Sequence, residues 1–144
     1  MPDSPSSRTT DRTRGNASRR ASASLIDTAL EAGKLPPQAP ELEQAVLGAM
    51  MLERNAVNEA IDILSPESFY VDAHRRIFGA IQDLFRNDKP IDILTVTQEL
   101  KAKAELDVVG GPFYISQLTN KVASSANVEY HARIISQKHI LREL

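Results

Sequence analysis

Five large apolar residues, Ile77, Phe78, Ile81, Leu84 and Phe85, fall at i, i+1, i+4, i+7 and i+8. That spacing gathers them into one wide stripe on a helix and would scatter them over both faces of a strand. It predicts a core helix over about residues 72–87. No alternating apolar and polar run of useful length occurs elsewhere, no internal repeat is visible and the connections are short, so the economical architecture is an all-α bundle.

The remaining elements follow from punctuation. Leu42, Val46, Ala49 and Met50 recur at helix spacing behind Pro40, with Glu41 and Glu43 near the end of the helix that favours acidic groups. The same position gives Glu41 and Glu43 a plain capping role. A second helix is expected over 56–64, stopped by Ser65-Pro66-Glu67, where Ser65 caps and Pro66 opens a brief turn. After the turn residues 87–90, Thr95 with Gln98 reads as a capping box for a helix through Val96 and Leu100, and Asp92 is the competing cap. Gly110-Gly111-Pro112 opens another helix carrying Phe113, Tyr114, Ile115 and Leu118 and ending near 120–123; Ser124 or Ser125 can cap the last one.

Charge is distributed unevenly along the 144 residues. Residues 1–24 hold nine Ser or Thr, five Arg and two Asp, leaving 12 basic against 17 acidic residues from Leu25 onward. The first segment has too little apolar surface to offset the entropy of ordering and reads as a disordered tail over 1–34. A solubilising extension is preferred there over a nucleic-acid arm built on Arg8, Arg12, Arg14, Arg19 and Arg20. Leu25, Ile26 and Leu30 could form a turn or two of helix before the extended connector set by Pro36, Pro37 and Pro40. The mildly acidic body argues against a dedicated reader of duplex DNA. With no run of about 18 apolar residues and no apolar leader, neither a membrane span nor secretion is indicated, and a cytoplasmic location is expected.

Chemistry-bearing motifs are absent from the sequence. The chain has no cysteine and no GxxxxGK[ST] phosphate loop. Among His74, His131 and His139 no two share i, i+4 spacing, and His131 and His139 stand about 12 Å apart along a helix, too far for one metal ion. His74 reads as a partly buried, hydrogen-bonded residue rather than a general base. Asp88 and Asp92, like Glu41 and Glu43, sit at helix ends rather than in a cleft. No catalytic, cofactor-binding or metal-binding residue is assigned.

The last helix says more. Tyr130, Ile134, Leu141 and Leu144 follow at spacings of 4, 7 and 3, with Gln137 in the vacant seam position, a heptad-like stripe; Val128, Ala132 and Ile135 make a second stripe beside it. Such a helix either packs on its antiparallel neighbour with one face and on another chain with the other, or is sandwiched inside its own domain. The sequence stops inside this helix without a glycine or proline terminator, as a fragment does.

Several of these segments occur together in one family. Pro36-Pro37 followed by residues 41–48, Ser65-Pro66-Glu67-Ser68-Phe69-Tyr70 with His74, Ile77 and Phe78, Pro90-Ile91-Asp92 with Thr95-Val96, Gly110-Gly111 with Tyr114-Ile115 and Leu118, and Ser125-Ala126-Asn127 with Tyr130, Ala132, Arg133 and Ile134 stand in the family's order. From about Leu35 to Leu144 the chain resembles the N-terminal domain of the bacterial replicative DNA helicase, the DnaB-type family. The resemblance implies a small helical globular lobe, residues 35–111, followed by an antiparallel helical hairpin, residues 112–144. In the family the hairpins pair protomers, three dimers form a collar on the hexamer, and the primase docks there through its C-terminal domain. It therefore implies Tyr114, Leu118, Val128, Tyr130, Ile134, Ile135 and Leu141 as interface residues, with Val128 and Ile134 tied to assembly or primase coupling. It further implies self-association and primase as partners, single-stranded DNA contacted through the parent protein, ATP and Mg as cofactors of the parent only, and a bacterial, nucleoid-associated setting. The alternative is a free-standing helical adaptor without helicase activity; a small enzyme is a third and less favoured class.

Overall fold

The computed structural model describes residues 39–121 and 127–144. The N-terminal tail, the Leu25/Ile26/Leu30 patch, Pro36 and Pro37, and the candidate caps Ser124 and Ser125 lie outside the described residues. The described residues form one compact unit, and among them the secondary structure is entirely helical: α1 (Pro40–Leu52), α2 (Arg54–Ile61), a 3₁₀ turn (Pro66–Ser68), α3 (Asp72–Arg86), α4 (Ile93–Ala102), α5 (Gly111–Asn120) and α6 (Val128–Glu143). The all-α expectation holds.

α1 is the hub, packing on α2, α3, α5 and α6. Residues 46–51 are buried consecutively. A helix touched from every side needs no amphipathic stripe. At Glu53 the backbone turns extended (φ −138°, ψ 133°), which separates α1 from α2. That second helix starts two residues before the expected Ala56 and ends at Ile61, where the Ile63 and Leu64 amides both turn back to the Ala60 carbonyl.

The Ile77-to-Phe85 stripe is buried as its spacing predicts. Ile77, Phe78 and Ile81 are fully enclosed, Leu84 nearly so, and Phe85 packs at the margin of the core. Phe69, delivered by the 3₁₀ turn, lies against Phe78 with ring centroids 5.1 Å apart. The turn is closed by its own serines, the Ser65 amide donating to Ser68 Oγ at 3.0 Å. Arg76 bridges Asp72 at 2.8 Å and Glu105 at 2.6 Å, tying α3 to the loop beyond α4, and the hydrogen bond from Arg76 holds the Asp72 carboxyl below the usual carboxylate range.

Asp92 wins the competition to cap α4. Its carboxylate accepts from the Thr95 amide and the Thr95 hydroxyl accepts from the Asp92 amide, both at 2.9 Å. Thr95 is thus the third residue of the helix, not its cap. α5 and α6 both pack on α1 more extensively than on each other, and α6 also reaches α2 and the 3₁₀ turn. Ile115, Leu118, Val128, Ala132 and Ile135 belong to the same core as the lobe.

Candidate functional site

The two ends of the chain's chemistry are a buried polar network and an exposed helix face. The network begins at Glu43, one turn into α1. Its carboxylate accepts from the Tyr70 amide at 2.8 Å and the Val71 amide at 3.3 Å, at the start of α3, and contacts His74 Nδ1 at 2.8 Å. A carboxylate with two backbone donors is an acceptor here too, so Nδ1 carries the imidazole proton. On the far side of the ring, His74 Nε2 lies 2.5 Å from the Tyr114 hydroxyl, which also receives Gln44 Nε2 at 3.5 Å. Burial raises the Tyr114 phenol above its ordinary pKa.

This places Glu43 differently from the sequence reading. It is 1% exposed and serves the neighbouring helix, where a solvated carboxylate at the start of its own helix was expected. His74 is fully buried with both ring nitrogens engaged, consistent with a hydrogen-bonded structural residue and more enclosed than expected. Sequence separations of 31 and 40 residues leave no local pattern by which the triad could be read. Among the described residues no buried side-chain nitrogen or oxygen lacks a partner, so the network is complete as it stands. No group of three His, Asp or Glu side chains able to hold a metal ion occurs among them either.

The second feature is α6. Val128, Ala132 and Ile135 point inward, each 1% exposed or less. Tyr130 is 49% exposed, Leu141 37% and Leu144 94%, with Ile134 half-buried between the two sets. At 3.6 residues per turn Tyr130, Gln137, Leu141 and Leu144 occupy the side of the helix roughly opposite the core face. The two stripes therefore stand back to back rather than side by side. Arg142 pins the end of the helix, donating to the Ser68 carbonyl at 2.8 Å with its guanidinium 5.6 Å from the Tyr70 ring centroid. His131 sits at the edge of the packed face, and burial lowers its pKa.

The seven expected interface residues thus divide. Leu118, Val128 and Ile135 are enclosed by the chain's own core, Tyr114 is turned into the polar network, and Tyr130, Ile134 and Leu141 lie on or beside the outward face. Ile140, 56% exposed, flanks that face and was not singled out by the heptad spacing.

A small all-helical domain that satisfies its buried polar groups internally and leaves an apolar helix face outward has the anatomy of an interaction domain. The particular family follows from comparison with known proteins: residues 35–137 match the DnaB-like helicase N terminal domain, and the chain belongs to that family. It is 52% identical over 124 residues to the replicative DNA helicase DnaB of Rhodothermus marinus, covering 86% of this chain and 13% of that protein. Over 111 residues it is 47% identical to the Geobacillus stearothermophilus DnaB, covering 77% and 24%. The crystal structure of the N-terminal domain of DnaB helicase from Mycobacterium tuberculosis superposes with a TM-score of 0.74 at 38% identity, over 76% of this chain and 79% of that one. A DnaB-like replicative helicase whose structure was described with its interactions with primase superposes with a TM-score of 0.65 at 28% identity, over 73% and 25%. The chain thus spans a quarter or less of these full-length helicases. Among the described residues no helix is long and apolar enough to cross a membrane.

Proposed function

We propose that this chain is the assembly and primase-docking domain of a replicative DNA helicase. The observation that carries the reading is the outward stripe of α6, Tyr130, Ile134 and Leu141, on a helix whose opposite face is already committed to the core. A helix so divided is fixed by one side and available by the other, which suits a self-complementary contact between protomers. Pairing of protomers, and of such pairs into a ring, is the assembly this face would serve. The relative described with primase supports the second partner.

In this reading ATP hydrolysis and its Mg ion belong to a motor domain of the parent helicase, as does the contact with single-stranded DNA. What supports placing both cofactors outside this chain is that its sequence has no GxxxxGK[ST] loop and that no group of three His, Asp or Glu able to hold a metal ion occurs among the described residues.

The test is a calorimetric titration of this chain with the C-terminal domain of the primase from the same organism, at two salt concentrations, alongside its solution mass over a dilution series. Saturable binding and a mass that falls on dilution are expected. A chain that is monomeric at every concentration and silent toward primase overturns the proposal.

A further inference from the structure

The outward side of α6 has two slopes that differ in charge. Ile134 and Leu141, seven residues apart, lie along one line of the helix, whereas Glu129 and Arg133, four apart, follow another roughly 100° round it. Tyr130, 49% exposed, stands on the crest between them. The Glu129/Arg133 slope borders α2. There the two helices leave a cleft of about 330 Å³, lined by Glu59, Asp62, Glu129 and Arg133 beside the half-buried Ile63. Arg133 donates to Glu129 at 2.9 Å, so the cation of the cleft is already matched. Glu59 and Asp62 are exposed and enter no ion pair among the described residues.

Symmetry separates what each slope can take. In a two-fold contact a surface meets its own copy. Pairing centred on the α2 side would press Glu59 and Asp62 against the same carboxylates of a second chain, a like-charge contact that opposes association. The Ile134/Leu141 slope offers apolar groups to a second copy instead. Nor do the carboxylates of the cleft make a metal site, since no group of three His, Asp or Glu able to hold an ion occurs among the described residues. What complements Glu59 and Asp62 is cationic, and what complements the Tyr130 ring beside them is apolar.

We infer that the α2 side of α6 is a second docking surface, one that takes a helix of another protein bearing lysine or arginine along one edge and apolar side chains along the next. Its apolar edge covers Tyr130 while its cationic edge lies over Glu59, Asp62 and Glu129, and the opposite charge selects the partner and speeds its arrival. The division of α6 between a second copy and a different protein rests on the proposed function above. The preference for a basic partner does not depend on that partner's being primase.

Two synthetic helical peptides of equal length and identical apolar face, one with lysine and one with glutamate along its edge, decide it when titrated into the isotope-labelled chain and followed by NMR at two salt concentrations. The lysine peptide should bind at least about tenfold tighter than the glutamate peptide, lose affinity as salt is raised, and shift the amides of residues 58–63 and 129–133. Glu59→Lys combined with Asp62→Lys alters only exposed side chains and should reverse the preference. Equal binding of the two peptides, shifts confined to other parts of the domain, or a preference that survives the double substitution overturns the inference. The wild-type comparison stands whether or not the double variant folds. Because the peptides are the only ligands present, a chain that proves monomeric and silent toward primase counts against the proposed function alone.

Discussion

His74 Nδ1 stands 2.8 Å from Glu43 Oε1, and neither side chain is more than 1% exposed. A carboxylate buried this deeply is tolerable because three donors, His74 and the Tyr70 and Val71 amides, meet its two oxygens. Removing it strands all three. Glu43→Ala is expected to destabilise the domain by about 3 kcal/mol or more, roughly 12 °C or more in Tm. Thermal unfolding followed by circular dichroism checks this; a Tm within a few degrees of wild type would show that the donors find other partners.

Two glycines make a matched pair. Gly110 holds φ 110°, and a Cβ built there would sit 3.0 Å from Tyr114 Cβ, whereas Gly79 is helical in α3 with nothing within 4 Å of such a Cβ. Gly110→Ala should cost about 1–3 kcal/mol, from backbone strain and from pushing Tyr114 off its seat. Gly79→Ala should stabilise by about 0.5–1 kcal/mol through helix propensity alone. Denaturant midpoints of the two variants should move in opposite directions, and movement in the same direction contradicts the assignment.

His131 supplies a pH dependence whose sign is fixed. Burial holds its folded-state pKa below the ordinary 6.5, so between the two values the unfolded chain binds the proton and the folded chain does not. Stability therefore rises with pH through that window and is lost as pH falls below about 6.5. An NMR titration should place the His131 midpoint under 6.5, and His131→Gln should flatten the part of the stability profile that this residue causes. A midpoint at or above 6.5 removes the basis for it.

What could be read from the sequence was whatever is local. The Ile77-to-Phe85 stripe, the Ser65–Pro66 turn and the Gly110–Gly111 entry are set by neighbours within a few positions, and each appears where its spacing puts it. Asp92 displaced Thr95 as the α4 cap because the two residues form a reciprocal pair at caps three apart, a pattern that fits two registers when only one string of residues is in view. Glu43 was misread for a different reason. Its first-turn position in α1 accounts for a carboxylate without any partner, and nothing near it in sequence announces His74 or the amides at 70 and 71. The central place of α1 was equally hidden, since a helix buried from all sides has no polar face to reveal its orientation. For α6 the two apolar stripes were legible, but only packing on α1 and α2 shows which of them faces in.

That division of α6 makes adjacent residues behave differently. Ile135 is 1% exposed in the core, while Ile134, one residue earlier, is half-buried at the margin of the outward stripe. An aspartate at 135 would bury an unpaired charge, costing several kcal/mol, and Ile135→Asp is expected to leave the chain unfolded. An aspartate at 134 can turn its carboxylate to solvent in the monomer but not in a paired state, where the same helix face is covered. Ile134→Asp should therefore keep its helical circular dichroism and lose about 2 kcal/mol of pairing free energy, some thirtyfold in dissociation constant. Sedimentation of the two variants and the wild type over one dilution series separates the possibilities. If Ile134→Asp is folded and its mass follows the wild-type curve, the outward face of α6 is not the contact between protomers.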